Sequence, residues 1–217
     1  MRTFQLEGSP REIVGKKATK ALRKQGLIPA ILYGQAPVAL PYTGVLKKGE
    51  TIVEIGANKG LIIKNFTVST DQVRNLIYSP HIYLVELTVE GAGQMKAIIK
   101  DLQFHPVTDA LLHIDFLEVF DKKPIVMEVP VVLEGHAEGV KSGGKLNLEM
   151  RKLRVKALYD KIPEKLTINV EKLSLGKTVQ VRDLNFEGLE MVNAKNAVVC
   201  SVKLTRAARG MEAAKES

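Results

Sequence analysis

Residues 96–119 have the sequence KAIIKDLQFHPVTDALLHIDFLEV, in which two apolar runs flank a short polar turn. The runs 96–104 and 112–119 contain the β-branched and aromatic residues that are typical of β-strands. Comparable runs occupy 28–33 and 81–89, each between turn signals. The first half of the chain is therefore predicted to contain a mainly antiparallel sheet.

Two short segments, 16–25 and 70–78, have helical rather than strand-like periodicity. The second is predicted to open with a capping box between Ser69 and Gln72 and to end before Pro80. Its apolar residues at helical spacing are predicted to join the core: Val73, Leu76 and Ile77.

A domain boundary is predicted at the sequence DKKP, residues 121–124, where two lysines and a proline interrupt an extended apolar pattern. The pattern resumes at Ile125. We therefore expect one domain over 1–121 and a second over 122–205. The tail 206–217 has no apolar period to bury and is predicted to be mobile.

The second domain is predicted to be all-β, because its apolar runs alternate with glycines, prolines and charged clusters. These runs are 124–134, 146–159, 166–170, 178–182 and 197–204.

Positive charge is concentrated at the start of this 217-residue chain. The whole sequence has 32 Lys and Arg against 24 Asp and Glu, a net charge of +8, and residues 1–48 alone have nine basic and two acidic residues. This balance favours a polyanionic partner. The single cysteine, Cys200, excludes an internal disulfide and a multi-thiolate metal site. With neither a signal-peptide core nor an apolar stretch of about 18 residues, we expect a cytoplasmic protein without membrane contact.

The first helix is predicted to carry five cations on one face. At about 100° per residue they fall within an arc of about 120°. These cations are Lys16, Lys17, Lys20, Arg23 and Lys24. A basic face of this kind is often simply solvated, but five cations without an intervening acid also fit a phosphate backbone.

The polar cluster around the turn of residues 103–116 allows several interpretations. Alternation places His113 and Asp115 on the same strand face, with His105 nearby in sequence. The three side chains could be structural, bind a metal, act as an acid–base site, or bind RNA through base edges and 2′-hydroxyls. The sequence offers no nucleophile for the catalytic interpretation.

A glycine-rich segment, Gly139 to Lys145, has the spacing of a P-loop. Leu146 stands where Ser or Thr would bind Mg²⁺, and no helical pattern follows. We therefore interpret this segment as a hairpin loop. Because aromatic residues make up 5% of the chain and tryptophan is absent, base stacking is not expected to be the main mode of RNA binding.

Three motifs together resemble a known family: REIVGKKATKALRKQGLIPAILYG at 11–34, KDLQFHP at 100–106 and HIDF at 113–116. They are similar to the bacterial large-subunit ribosomal protein twenty-five family, in its long form, also called general stress protein CTC. Motifs after the boundary resemble its C-terminal β domain. These are 129–135, 139–144, 162–164 and 198–199.

The resemblance implies a non-enzymatic structural constituent of the large ribosomal subunit that binds 5S rRNA around loop E at the central protuberance. Neighbouring large-subunit components are the other implied partners, and the family has no cofactor, catalytic site or small-molecule substrate. The implied fold is mainly β. It has an N-terminal six-stranded β-barrel-like RNA-binding domain with short helices and a C-terminal all-β, sandwich-like domain.

The family's RNA-binding positions match two groups of residues in this chain. The basic segment, which by this match contacts phosphates, comprises Arg11, Lys16, Lys17, Thr19, Lys20 and Arg23. The sheet surface, which by this match lies on a distorted minor groove, comprises Tyr33, Gln103, His105, His113 and Asp115.

The sequence also departs from the family pattern. Lys17 replaces a frequent second glycine, and the segment from about 36 to 64 is much longer than its counterpart. This insertion is predicted to contain an extra hairpin, serving either as a surface loop or as an added contact with RNA or protein.

Two functional alternatives remain. One is another structured-RNA binder, because the N-terminal fold also resembles the anticodon-binding barrels of glutaminyl-tRNA synthetase. The other is a metal-dependent hydrolase that uses His105, His113 and Asp115.

Overall fold

A computed structural model of the chain describes residues 1–34, 37–56, 59–91 and 93–205. The chain folds as two compact units, Met1–Lys123 and Pro124–Ser217. The tail 206–217, which the sequence predicts to be mobile, lies outside the described residues.

The first unit is built from eight strands and two helices in the described ranges. In chain order they are β1 Arg2–Pro10, α1 Lys16–Lys24, β2 Leu27–Tyr33, β3 Val38–Ala39, β4 Glu50–Gly56, β5 Lys59–Ser69, α2 Thr70–Ile77, β6 Tyr83–Val89, β7 Gly93–Phe104 and β8 Leu111–Glu118.

Six of these strands form a closed barrel in the order β1-β6-β7-β8-β2-β5, and β5 pairs with β1 to complete it. The predicted six-stranded barrel is therefore confirmed. Most neighbouring strands are antiparallel, as predicted, but β1 runs parallel to β6, and β2 runs parallel to β8.

The barrel core follows from the alternation of side chains along its strands. On β8, Ile114 and Phe116 are fully buried, whereas His113 and Asp115 face outward and are only partly covered. Phe116 packs against Phe66 of β5, with 5.8 Å between the ring centroids. The outward face of β8 is thereby left for polar side chains.

Both predicted helices form, and α2 buries Val73 and Leu76 as expected. The predicted capping box is wrong, because the Ser69 side chain makes no capping hydrogen bond. Instead, the Thr70 backbone N–H and the Thr70 hydroxyl both donate to the Gly26 carbonyl oxygen, at 2.9 and 2.7 Å. These two bonds connect the start of α2 to the turn that follows α1.

The insertion contains the predicted hairpin. Strand β4 pairs with the first half of β5, with Thr51 opposite Ile63 and Val53 opposite Leu61. Because β5 continues to Ser69 and enters the barrel between β2 and β1, the hairpin extends a barrel strand outward.

Over its described residues, 124–205, the second unit contains two β-sheets. Its elements are β9 Ile125–Glu134, α3 Glu138–Lys141, β10 Lys145–Leu148, β11 Lys152–Ala157, β12 Leu166–Asn169, β13 Thr178–Gln180, β14 Glu190–Met191 and β15 Val198–Lys203, with 3₁₀ turns at Tyr159–Lys161 and Val181–Asp183. One sheet has the order β12-β9-β11-β14, and the other has the order β10-β15-β13.

Two local predictions in this unit are wrong. The run 146–159 is divided between β10, which pairs with β15, and β11, which pairs with β9. The glycine-rich segment 139–145 is not a hairpin loop either, because the strands on either side of it, β9 and β10, belong to different sheets; the helical turn α3 overlaps its start. Gly139 packs so closely there that a Cβ would lie 2.6 Å from the Leu175 nitrogen.

Replacing Phe116 with alanine is expected to destabilise the first unit by about 3–5 kcal/mol, because the substitution leaves a cavity beside Phe66. Urea denaturation of the full chain measures this change. The control is Val45→Ala at a side chain that is 92% exposed, where a change within about 0.5 kcal/mol is expected. Equal effects of the two substitutions would contradict the assigned core.

Candidate nucleic-acid interface

Helix α1 presents a cluster of lysines with uncompensated charge. All four side chains are exposed, and none makes an ion pair with any residue in the described part of the chain. We call these residues the lysine face: Lys16, Lys17, Lys20 and Lys24. Such a set of cations is available for a polyanion.

Arg11 and Thr19, two other predicted site residues, form a local hydrogen-bonded unit. The Arg11 Nη2 donates to the Thr19 hydroxyl at 2.8 Å, and that hydroxyl donates to the Gly15 carbonyl oxygen at 2.8 Å. Partial burial lowers the pKa of Arg11, and the positive charge of Arg23 lowers it further. Arg11 therefore holds the first turn of α1 and lies near a second cation.

Arg23 connects α1 to the sheet. Its Nε and Nη2 both donate to the Leu112 carbonyl oxygen, at 3.1 and 2.8 Å. Leu112 immediately precedes His113 on β8. The basic helix and the polar strand are therefore parts of one surface.

The outward residues of β7 and β8 lie opposite one another across the ladder. Gln103 pairs in register with His113, and Asp101 pairs with Asp115. On the other side of β8, the parallel strand β2 places Ile31 opposite Asp115, two residues before Tyr33. The strand register of the barrel therefore places residues of three strands, which the sequence predicts to belong to the site, on one face.

The surroundings of Tyr33 favour its neutral form over its ionised form. Burial raises the pKa of Tyr33, and the negative charges of Asp115 and Asp101 raise it further. A phenol with an ordinary pKa of about 10 is already protonated at neutral pH, so Tyr33 is a hydrogen-bond donor there, and its surroundings extend this range to higher pH.

His113 is oriented by Asp115. The His113 Nδ1 lies 2.6 Å from the Asp115 Oδ1, and each side chain is 20% exposed. With Nδ1 engaged, Nε2 is the ring atom available to a partner. Among the described residues, no group of three His, Cys, Asp or Glu side chains is arranged to hold a metal ion.

His105 lies apart from this pair, in the turn between β7 and β8. Its Nδ1 accepts hydrogen bonds from the backbone N–H groups of Val107 and Thr108, both at 3.3 Å. The backbone N–H of His105 donates to the Ala110 carbonyl oxygen at 2.8 Å. The ring therefore shapes the turn, and Nε2 is its remaining polar atom.

Asp101 belongs to the site but was not predicted from the sequence. Alternation from Gln103 would have placed Asp101 on the same face, because the register from Asp101 to Gln103 is regular and the β-bulges of this strand lie on either side of that interval. The role of the Leu112 carbonyl oxygen could not be predicted from the sequence either, because a backbone acceptor does not depend on the type of side chain.

An exposed lysine face joined to hydrogen-bonding side chains on neighbouring strands of a barrel is characteristic of nucleic-acid-binding domains.

In the described residues, no helix has the length and apolar character needed to cross a membrane.

Two known protein families match this chain. The Ribosomal L25p family matches residues 6–116, and the family described as Ribosomal protein TL5, C-terminal domain, matches residues 124–206. This chain belongs to the ribosomal L25p family, in the form that carries the additional C-terminal domain.

Curated relatives are similar along their whole length, and each is named large ribosomal subunit protein bL25. That of Porphyromonas gingivalis is 62% identical over 216 residues, covering 100% of both chains. That of Parabacteroides distasonis is 57% identical over 218 residues, covering 98% of this chain and 99% of the relative. That of Bacteroides fragilis is 52% identical over 219 residues, covering 99% and 98%.

Membership of this family identifies the chain as a non-enzymatic, RNA-binding structural protein of the large ribosomal subunit, with a role in translation in the cytoplasm. The prediction of a structural protein is thereby confirmed. The hydrolase alternative is excluded, because the family is not enzymatic.

The raised pKa of Tyr33 makes the stability of the fold depend on pH. Because the folded pKa of Tyr33 lies above the unfolded value of about 10, the unfolded chain releases this proton at lower pH, and stability is expected to fall as pH rises from about 10 through the folded pKa. Asp115→Asn should lower the pKa of Tyr33 but leave it above its ordinary value, since burial is the largest cause. A pH titration of the Tyr33 ring signals by NMR measures the pKa, and urea denaturation at a series of alkaline pH values measures the stability. An unchanged pKa in the variant would contradict the proximity of Asp115.

Proposed function

We propose that this chain binds 5S rRNA around loop E and occupies the central protuberance of the large subunit. In this proposal, residues 1–121 form the 5S rRNA-binding domain. The main support is the contact of Arg23 with the Leu112 carbonyl oxygen, because it joins the cationic helix and the polar strand into one continuous surface.

The lysine face supplies affinity in this proposal. Four exposed cations that make no ion pair with any described residue can approach phosphates and release the counterions of the RNA, without first displacing an acidic partner from that part of the chain. These contacts position the RNA but do not distinguish one sequence from another.

The sheet surface supplies discrimination. The minor groove of RNA is wide and shallow and exposes 2′-hydroxyls and base edges. Tyr33 offers a phenol donor, Gln103 an amide, and His113 a ring nitrogen whose orientation is fixed by Asp115. A distorted internal loop presents these groups differently from a regular helix, so the fixed side chains can recognise its shape.

His105 has a secondary role in this proposal. Its Nδ1 is engaged by the turn, so only its Nε2 can reach the RNA. Arg11 and Thr19 form the base of α1, and Lys17 extends the lysine face at the position where the family often has a glycine.

The second unit, proposed as a β domain of residues 122–205, pairs several of its surface cations with acidic side chains. Arg154 pairs with Glu128 at 3.0 Å, Lys156 with Glu190 at 3.0 Å and Lys203 with Glu149 at 2.8 Å. These paired cations are less available to phosphates than the lysine face is, so we assign contact with neighbouring large-subunit components to this unit.

The proposal is tested by binding of the full chain to 5S RNA in Mg²⁺ at near-physiological salt. Transfer RNA and a 5S RNA with a regularised loop E serve as competitors. Tight binding that neither competitor displaces is expected. Equal binding of all three RNAs would reduce the surface to a non-specific cationic patch, and preference for transfer RNA would favour the anticodon-binding type.

The number of phosphate contacts is expected to appear in the salt dependence. If the four lysines each meet a phosphate, log K should fall against log salt with a slope of about −2.8 to −3.6. Lys20→Gln should flatten this slope by about 0.7 to 0.9. Lys122→Gln, at an exposed residue near the end of the first unit, is the control with the same change of charge. An unchanged slope for Lys20→Gln would remove Lys20 from the phosphate contacts.

A substitution on the sheet surface is expected to change RNA preference rather than salt dependence. His113→Ala should reduce the preference for 5S RNA over the regularised-loop RNA, because the lost group discriminates between them, while the salt slope stays unchanged. Competition binding at fixed salt measures the ratio. Equal losses of affinity for the two RNAs would contradict a discriminating role for His113.

A further inference from the structure

We infer that the outer edge of strand β4 is a strand-addition site for an extended, basic segment of a neighbouring large-subunit protein. Strand β4, Glu50–Gly56, belongs to the insertion and takes no part in the surface proposed to bind 5S rRNA. The inference rests on membership of the large-subunit protein family and goes beyond the proposed recognition of 5S rRNA.

One edge of β4 has no strand beside it. Within the described residues, β4 pairs with β5 alone. A strand at the edge of a sheet exposes a row of unpaired backbone N–H and C=O groups, to which another extended chain can bind. Because β4 is seven residues long, such a chain can form several hydrogen bonds with it.

The register of the hairpin shows which backbone groups point outward. The Asn65 backbone N–H donates to the Gly49 carbonyl oxygen at 2.7 Å, in line with the β4–β5 pairing that follows. Hydrogen-bonded pairs recur at every second residue of an antiparallel ladder, so Val53, four residues after Gly49, bonds to β5. Its neighbours Ile52 and Glu54 therefore direct their N–H and C=O groups toward the open edge.

The base of the hairpin is fixed to the barrel. The Asn65 Nδ2 donates to the Gly49 carbonyl oxygen at 3.1 Å and to the Thr51 hydroxyl at 2.9 Å. The Asn65 carbonyl oxygen accepts a hydrogen bond from the Arg11 backbone N–H at 2.9 Å, so β4 begins where β5 changes its partner from β1. An edge that is held in place before its partner arrives loses little conformational entropy on binding.

One face of β4 is covered and the other is open. Ile52 packs on the covered face, where a Cβ at Gly60 would lie 2.6 Å from the Ile52 Cγ2 and 3.2 Å from the Leu40 Cδ2. Val53 and Ile55 lie on the opposite face, and their side chains are 46% and 54% exposed. Two β-branched side chains on an open face favour an added strand with apolar residues on the same side.

The charge of the edge indicates a basic partner. Glu54 is exposed, and the residue opposite it on β5 is Gly60, which has no side chain. The Glu54 carboxylate makes no ion pair with any described residue. Lys or Arg on an added strand, opposite Glu54, would form a favourable cross-strand pair with it.

RNA and a second copy of the chain fit this edge less well. A phosphate backbone would meet the Glu54 carboxylate instead of a cation. Two copies joined antiparallel through β4 would bring the Glu50 and Glu54 carboxylates of both chains onto one face, and like charges in such positions destabilise a sheet. A basic segment of another protein converts the same carboxylates into attractive partners.

A lysine–valine peptide tests the chemistry of the edge. The probe is a synthetic peptide of alternating lysine and valine, added at saturating concentration to the isotope-labelled full chain, and a glutamate–valine peptide is its control. We expect amide hydrogen exchange to slow at Ile52 and Glu54, whose N–H groups gain partners, but not at Val53. Equal binding of the two peptides, or unchanged exchange at Ile52 and Glu54, would overturn the inference.

A charge reversal tests the role of Glu54. Glu54→Lys should weaken binding of the lysine–valine peptide about fivefold, because an attractive cross-strand pair becomes a repulsive one. Glu90→Lys, at an exposed residue after β6, is the matched control and should bind within about twofold of the natural chain. Equal weakening by both substitutions would reduce the binding to long-range attraction and contradict a site on β4.

Photo-crosslinking within the assembled large subunit identifies the partner. The exposed Ile55 is replaced by a photoreactive phenylalanine analogue in the full chain, and crosslinks in purified large subunits are mapped by mass spectrometry. We expect a crosslink to an extended segment of a ribosomal protein with lysine or arginine at alternate positions. Crosslinks to rRNA alone, to a second copy of this chain or to no neighbour would overturn the inference. Failure of the chain to prefer 5S RNA would defeat the proposed function but would not change these results.

Discussion

The barrel closes where β1 meets β5, and the positions of the functional side chains depend on this closure. Ser9 pairs with Thr67 and Pro10 with Phe66. Gly8 allows the approach, because a Cβ at this residue would lie 2.7 Å from the Phe66 ring. The same line of contact continues through Arg11, whose N–H donates to β5 at 2.9 Å. Closure therefore fixes both the core and the point where the basic segment leaves the barrel.

The surface that results combines two kinds of polar group. The lysines of α1 are exposed and make no ion pair within the described residues, whereas Tyr33, His113 and Asp115 on the sheet are partly buried, and the last two bond each other. Mobile cations suit a phosphate backbone, which offers charge in many positions. Fixed groups such as the His113–Asp115 pair suit recognition of shape, since their hydrogen-bonding directions are set before the RNA arrives.

Local patterns in the sequence were sufficient for much of the fold. The basic helix, the strands on either side of His105 and the insertion hairpin each follow from residues close together in the chain. The predictions that failed depend on distant partners. Thr70 bonds Gly26 in place of the predicted capping box, and the run 146–159 divides because its halves pair with different strands. Likewise, the sequence indicated that Arg23 is cationic but could not show that it donates to a backbone oxygen on β8.

The central claim is that the lysine face and the outward side of β7 and β8 bind one RNA together. Chemical-shift mapping by NMR, with a 5S RNA fragment containing loop E added to the isotope-labelled full chain, tests it most directly. We expect contiguous chemical-shift changes in α1, at the end of β2 and along the paired parts of β7 and β8, whereas the signals of the β4–β5 hairpin should stay unchanged. Shifts confined to the second unit, or to α1 without the sheet, would contradict it.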